Sequence, residues 1–533
     1  MGQFQDVGSN EKSNFVGEEE IGLLSESTAH PTRLGKVRSL IASYNARPAS
    51  ISGILSYIRH LFVAFLRFLV PSFLTASANP SSEKINKLSV ITGCRGLFCL
   101  IVFHSHFLSV FLNYVLWIGA WNGRHLLYQL PFLRLFAAGR AAVFVFWVIA
   151  GYTISLKPWK QLANKEHGAF QKSLSSTLIR RGFRLYLPPL ASVLIIAVFV
   201  GLGLCEAGRH IRFDVIYEKE NFYELSERFP ELQPSLFGQI WHAIKACGSM
   251  FKIFSEENTQ PDLYNPHLWC ISLQYKMSLL MIMLQLAASR MTDNHRYYFL
   301  LSVVLLSIFV LKEPQYTAPF GGMFLAEVDT RYAFNQPKLP TKDAALEVNS
   351  GKNRRQFFGS LRTSKYTYLA LLICGWFFCS TAPLETHDQL LLGPLITRFQ
   401  YFFDVVLGGN EPYIAIGAVC MTYGIIHCEL VHRLFVSRIS LYLGKISFSL
   451  YLVHGIMLRM ILYPLLPFLY EITGTQGPAS DSSVTALQFF GTWTMSIVIM
   501  LPLTICAADV FHRTVESWSS DFAFYIDCKV SGK

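Results

Sequence analysis

Three ionisable side chains interrupt one long apolar stretch of the sequence, ITGCRGLFCLIVFHSHFLSVFL (91–112): Arg95, His104 and His106. Charge is so costly in hydrocarbon that such residues are functional candidates by default. On a helix, the eleven steps from Arg95 to His106 turn through about 1100°, within ~20° of three whole turns, which puts both on one face about 16 Å apart along the axis. His104, nine steps on from Arg95, points nearly the opposite way. An imidazole in a dry site can act as general base on an alcohol, and a guanidinium can hold phosphate or polarise a carbonyl. A histidine satisfied by a neighbouring helix is the plainer alternative; it stays open for His106 and is the favoured reading for His104.

The elements that carry these residues follow from composition. The chain has 533 residues, of which 52% are hydrophobic and 15% charged, with mean hydropathy +0.35. An ordinary soluble domain has about 25% charged residues. Stretches of roughly 20 apolar residues, enough to cross about 30 Å of hydrocarbon, recur along the chain. Spans are expected at 94–116, 135–156, 185–204, 268–288, 297–311, 316–328, 366–382, 412–428, 440–463 and 486–507. The expected fold is therefore an all-α integral membrane protein, a bundle of about ten transmembrane helices. Loops 157–184 and 329–365 are rich in Lys and Arg, while 205–265 is acidic and 464–485 has no basic residue. The positive-inside rule then puts both termini in the cytoplasm. Residues 1–50 read as a disordered cytoplasmic tail. Segment 51–74, broken by Arg59, His60 and Arg67, reads as an amphipathic helix in the headgroup layer or an extra span. The transmembrane domain is expected over 85–515 and a cytoplasmic tail over 516–533.

Several classes lose support. The net charge of +11 sits in short clusters between apolar segments, so it reads as a topology signal and nucleic acid is not an expected partner. The 11 cysteines lie mostly inside apolar segments without CxxC or metal-ligand spacing, no paired-histidine helix motif occurs, and no metal site is expected. There is no Gly-rich phosphate loop with a following Lys. The polar, acidic start lacks a signal-peptide profile, and Asp6 stands where myristoylation after Gly2 wants Ser or Thr. No repeated hydropathy block of the duplicated-transporter kind is found.

The segments TGCRGLFCLIVFHSHF (92–107), AGRAAVFVFWVIAGYTISL (138–156), RRGFRLYLPPL (180–190), NPHLWCISLQYKMSLL (265–280) and GKISFSLYLVHG (444–455) resemble, in order, the acyltransferase 3 family of membrane O-acyltransferases, and its fungal members most closely. The resemblance implies a fold of about ten transmembrane helices in which acyl-CoA enters from the cytoplasm and its acyl group passes to an acceptor hydroxyl. Arg95 and His106 would be the catalytic pair. Arg180, Arg181 and Arg184 would hold the phosphates of coenzyme A, although topology enforcement alone would also explain them. Trp269, Gln274 and His454 would support the site, with a packed structural role open for His454. Gln274 stands where the family commonly has a glutamate, and Ala150 replaces a usual serine. An amide can hold an imidazole but cannot stabilise an imidazolium. Arg140 is unusual where the family has a small residue. In the same span, Gly139, Ala141, Ala142, Ala150 and Gly151 suit close helix packing, or a pantetheine arm.

The leading expectation is an enzyme with no resident cofactor: an O-acyltransferase that uses acyl-CoA, acetyl-CoA favoured, as co-substrate. The acceptor would be a hydroxylated small molecule such as a secondary metabolite, with a lipid or cell-surface glycan as alternatives. A catalytically inactive acyl-CoA-binding relative and a transporter using the buried His and Arg residues are the other readings. Besides substrates, the lipid bilayer is the expected partner, in the endoplasmic reticulum or the plasma membrane.

Overall fold

A computed structural model describes residues 70–75, 86–111, 130, 132–210, 229–254, 263–335, 365–381, 412–475 and 484–532, besides Arg59 and Val63. The expected tail 1–50 and most of the expected helix 51–74 lie outside them; within the latter, Ser72–Thr75 forms one helical turn. Val70–Lys533 forms a compact unit that holds all the main helices.

The described residues are helical and contain no strand. In chain order the main helices are α1 (Lys87–Ser109), α2 (Gly139–Ala163), α3 (His167–Gly201), α4 (Leu236–Cys247), α5 (Trp269–Ala288), α6 (Asp293–Leu306), α7 (Pro314–Asn335), α8 (Lys365–Cys379), α9 (Pro412–His427), α10 (Glu429–Phe435), α11 (Arg438–Met457), α12 (Tyr463–Thr473), α13 (Ala486–Phe511) and α14 (Ser517–Val530). Large apolar side chains face outward on several of them: Met283, Val310, Leu487 and Val498 are 65, 66, 84 and 65% exposed. Water would not tolerate such a surface, whereas lipid wets it. The chain is a multi-pass membrane protein.

Each of the ten expected spans coincides with a helix, but not each helix is long and apolar enough to cross. Among the described residues seven are, or eight if α9 and α10, bent by 91°, count as one. The other two fall short for identifiable reasons. The α7 helix carries Glu327, Asp329 and Arg331 in its last turns. The α8 helix has 15 residues, about 22 Å of rise against about 30 Å of hydrocarbon.

Two further boundaries differ from expectation. The basic segment 157–184 is not a loop: α2 runs to Ala163 and α3 begins at His167, so the chain turns within three residues. Lys, Gln, Leu and Arg are good helix formers, and α3, at 35 residues, is longer than a single crossing requires. Residues 516–533, expected as a tail, continue from α13 through a π turn, His512–Glu516, into α14.

Helix packing is closest where glycines let backbones meet. Gly96 of α1 lies against Gly444 of α11, where an added Cβ would stand 2.4 Å from the Gly444 nitrogen; a Cβ on Gly444 would stand 2.0 Å from the Thr92 carbonyl oxygen. The α2 and α7 helices cross in the same way: a Cβ on Gly151 would meet the Pro319 oxygen at 2.0 Å, and one on Gly322 the Val148 oxygen at 2.1 Å. Gly151, among the small residues of α2, therefore serves helix packing. Arg140, at the start of α2, is exposed at the bundle surface.

At the end of the bundle where α1 begins, Asp329 of α7 gathers four helices. It accepts hydrogen bonds from Lys87 of α1 at 2.8 Å and Tyr152 of α2 at 2.6 Å, and lies 2.9 Å from His427 of α9. Beside it Glu327 binds Arg296 and Arg331 at 3.0 and 3.1 Å, with the Arg296 guanidinium over the Trp159 ring.

Candidate active site

Helix α1 is unbroken from Lys87 to Ser109, held at its start by a capping box between Asn86 and Ser89. It presents Arg95 and His106 to the same neighbour, α11, as their spacing requires. Arg95 donates through Nη2 to Ser447 Oγ at 3.2 Å, and His106 meets His454, ring centroids 5.2 Å apart. Ser447, Tyr451 and His454 fall on one face of α11. His104 points away: its Nδ1–H donates to the Phe136 carbonyl at 2.7 Å and its ring packs edge-on against Trp493.

Around Arg95 a basic cluster assembles. Arg181 and Arg184 of α3 and Glu516 of the π turn after α13 all lie within electrostatic reach of it or of one another. Arg181 is fixed by donating through Nε to Ser278 Oγ at 2.6 Å, and Ser278 in turn donates to the Gln274 carbonyl. Glu516 accepts from Ser449 and lies 3.0 Å from His512 Nδ1. Arg180 stands at the edge of this cluster, within electrostatic reach of Arg184. It points to α14, where its Nε lies 3.5 Å from Asp527 Oδ2, an oxygen that also accepts from Ser176.

At the other end of the column His106 is joined by two imidazoles. His267 lies 4.2 Å from it and 4.3 Å from His454, centroid to centroid, and one ring nitrogen of each of the three lies within 4.8 Å of those of the other two. His267 and His454 are buried. His454 donates its Nδ1–H to the Tyr451 carbonyl at 2.7 Å, which leaves Nε2 with a lone pair. His267 sits on a one-turn 3-10 helix, Pro266–Leu268, that enters α5. This turn is tied to α11 and its continuation three times: Asn265 Nδ2 donates to the Leu452 carbonyl, Tyr451 donates to the His267 carbonyl, and the fully buried Arg459 donates to the Tyr264 carbonyl. Three imidazoles converging in this way can hold a metal ion or share a proton.

Of the residues singled out from sequence, Arg95, Arg181 and Arg184 come together at one end, and His106 and His454 at the other. Trp269 turns onto Trp147 of α2, rings perpendicular at 6.0 Å. Gln274 lies seven residues beyond His267 on the same side of the chain's path, about 10 Å toward the arginines; the imidazole packed against His106 is His267. Sequence reading missed His267, Arg459 and Glu516. His267 lies inside the motif NPHLW, two residues before Trp269, and Glu516 lies one residue past the expected end of the domain.

Residues 89–513 match the acyltransferase domain family, which covers most of the chain. The chain belongs to this family. Among curated proteins, the chain is similar to the O-acetyltransferase PaAT-1 of Phomopsis amygdali, 23% identical over 475 residues that cover 85% of this chain and 86% of that protein. It is also similar to the acyltransferase clz18 of Cochliobolus lunatus, 24% identical over 479 residues covering 82% and 95% of the two chains. No solved structure matches. Family membership and these relatives support O-acyl transfer as the activity.

Proposed function

We propose that this protein takes an acyl group, acetyl in the first instance, from acyl-CoA and transfers it to a hydroxyl of a small molecule made in secondary metabolism. The observation that supports this reading most is the polar column itself. Arg95, Arg181 and Arg184 form a multi-guanidinium cluster suited to the phosphates of coenzyme A, and His106 stands about 16 Å away along α1, a gap of the order that a pantetheine arm spans. Arg95 then anchors the donor while the thioester lies at the imidazoles. There the acceptor hydroxyl loses its proton, its oxygen bonds to the acyl carbon, the C–S bond breaks, and coenzyme A leaves as a thiolate that takes up a proton. The choice of acetyl draws support from PaAT-1, whose name records O-acetyl transfer. The phosphate end is proposed to face the cytoplasm, where acyl-CoA is made and where the Lys and Arg excess points.

The test compares extracts of cells that express wild type, His106→Ala or Arg95→Ala at equal membrane abundance, by mass spectrometry with isotope-labelled acetate. A species heavier by one acyl group is expected with wild type alone. Identical extracts from all three would remove both residues from the reaction and leave transport or acyl-CoA binding as the activity to pursue.

A further inference from the structure

We propose that His106, His267 and His454 bind a divalent transition-metal ion of the zinc class, which activates the acceptor hydroxyl. The site comes from three separated elements: the last turns of α1, the 3-10 turn before α5, and α11. That is why no ligand spacing in the sequence announces it. Three features point to a metal. The ligand nitrogens of all three rings lie within 4.8 Å of one another, whereas three nitrogens about 2.0–2.1 Å from a tetrahedral zinc are about 3.3 Å apart, so ring movements of roughly 1 Å close the triangle. His454 commits its Nδ1–H to the Tyr451 carbonyl, the outer hydrogen bond that a metal-bound imidazole ordinarily makes, and so offers Nε2 to the cluster. The turn carrying His267 is held by Asn265, Tyr451 and Arg459, so the third ligand is placed by a rigid outer shell.

The ligand set argues for the ion's class. Three neutral imidazoles, with no thiolate or carboxylate among them, suit zinc, cobalt, nickel or copper and not calcium or magnesium. Three protein ligands leave a fourth position open, the arrangement of catalytic zinc sites and not structural ones. The acceptor's oxygen would fill it. The ion would lower the pKa of a hydroxyl held there, which would pass its proton to a solvent water; the oxygen would then bond to the acyl carbon as the C–S bond breaks, and coenzyme A would leave as the thiolate. His106 is then a ligand, and transfer needs no carboxylate to stabilise an imidazolium, which accounts for the tolerance of Gln274 where a glutamate is common in such proteins. This consequence rests on the transferase reading; metal binding itself does not.

The experiment uses the full chain, purified in detergent through a tag without histidines and without chelators. Metal content by inductively coupled plasma mass spectrometry should be about one ion per chain for wild type and for His104→Ala, and should fall at least fivefold for His267→Ala and His454→Ala. Because a ligand variant can fail to fold, wild type is also stripped with phenanthroline and titrated with Co2+ alone; a tetrahedral nitrogen site gives a visible ligand-field band that Zn2+ abolishes. Wild type without stoichiometric metal and without that band would overturn the proposal, as would equal metal in wild type and both well-folded ligand variants. Acyl transfer that persists in metal-free protein would overturn it while leaving the transferase reading intact; absent acyl transfer in a metal-loaded protein would do the reverse.

Discussion

Arg180 and Arg181 are neighbours in sequence and have the same chemistry, yet α3 sends them to different places. A step of about 100° per residue directs Arg181 inward to Ser278 and the Arg95 cluster, and Arg180 outward to Asp527. On the proposed reading, Arg181 is the one of the two that meets a phosphate. Loss of a charge-assisted contact of this kind costs about 1.5–3 kcal/mol. Arg181→Ala should therefore weaken acyl-CoA binding about tenfold or more, measured as Kd on protein in nanodiscs, while Arg180→Ala should leave Kd within about threefold. Equal effects of the two would mean that the cluster acts as a diffuse charge and not as a built phosphate site. At this scale the Arg95–His106 face was legible because helical periodicity is local. The partition among the three arginines was not, because it depends on which neighbours lie on either side of α3.

Among elements, the α1–α11 pair matters most, since it carries Arg95 and His106 on one side and Ser447, Tyr451 and His454 on the other. Its close approach depends on Gly96 and Gly444, and in a membrane such contact must come from packing because lipid tails offer no hydrophobic penalty to drive helices together. A Cβ on Gly444 would stand 2.0 Å from a backbone oxygen, which cannot move aside as a side chain can. Gly444→Val should destabilise the protein by about 2 kcal/mol or more, read as a lower midpoint in thermal unfolding in detergent. It should also separate Arg95 from Ser447 and reduce transfer even in the fraction that stays folded. An unchanged midpoint would show that the two helices are held by other contacts. The element boundaries that the sequence misplaced share a cause. Charged residues end a span in hydropathy terms but not a helix, so α2, α3 and the run from α13 to α14 continue past the apolar stretch.

For the molecule as a whole, α14 turns out to be part of the bundle. It packs on α3 through the Asp527 contacts and through Phe522 against Phe183, rings perpendicular at 5.6 Å. The turn before it supplies Glu516 beside Arg95 and Arg184. Removal of residues 517–533 should lower the melting temperature by about 5 °C or more and weaken acyl-CoA binding together. A truncated chain that matches wild type in both would mean that α14 contributes nothing to α3 or the basic cluster. Hydropathy and helical period are properties of contiguous residues, and they are enough to place this chain in a bilayer, to locate its apolar stretches and to put Arg95 and His106 on one face. The packing of distant helices is what brings His267 and His454 to His106 and Glu516 and Arg181 to Arg95, and what turns Arg180 toward Asp527. Those juxtapositions are made by helices far apart in sequence, and the α1–α11 approach among them depends on the Gly96–Gly444 contact.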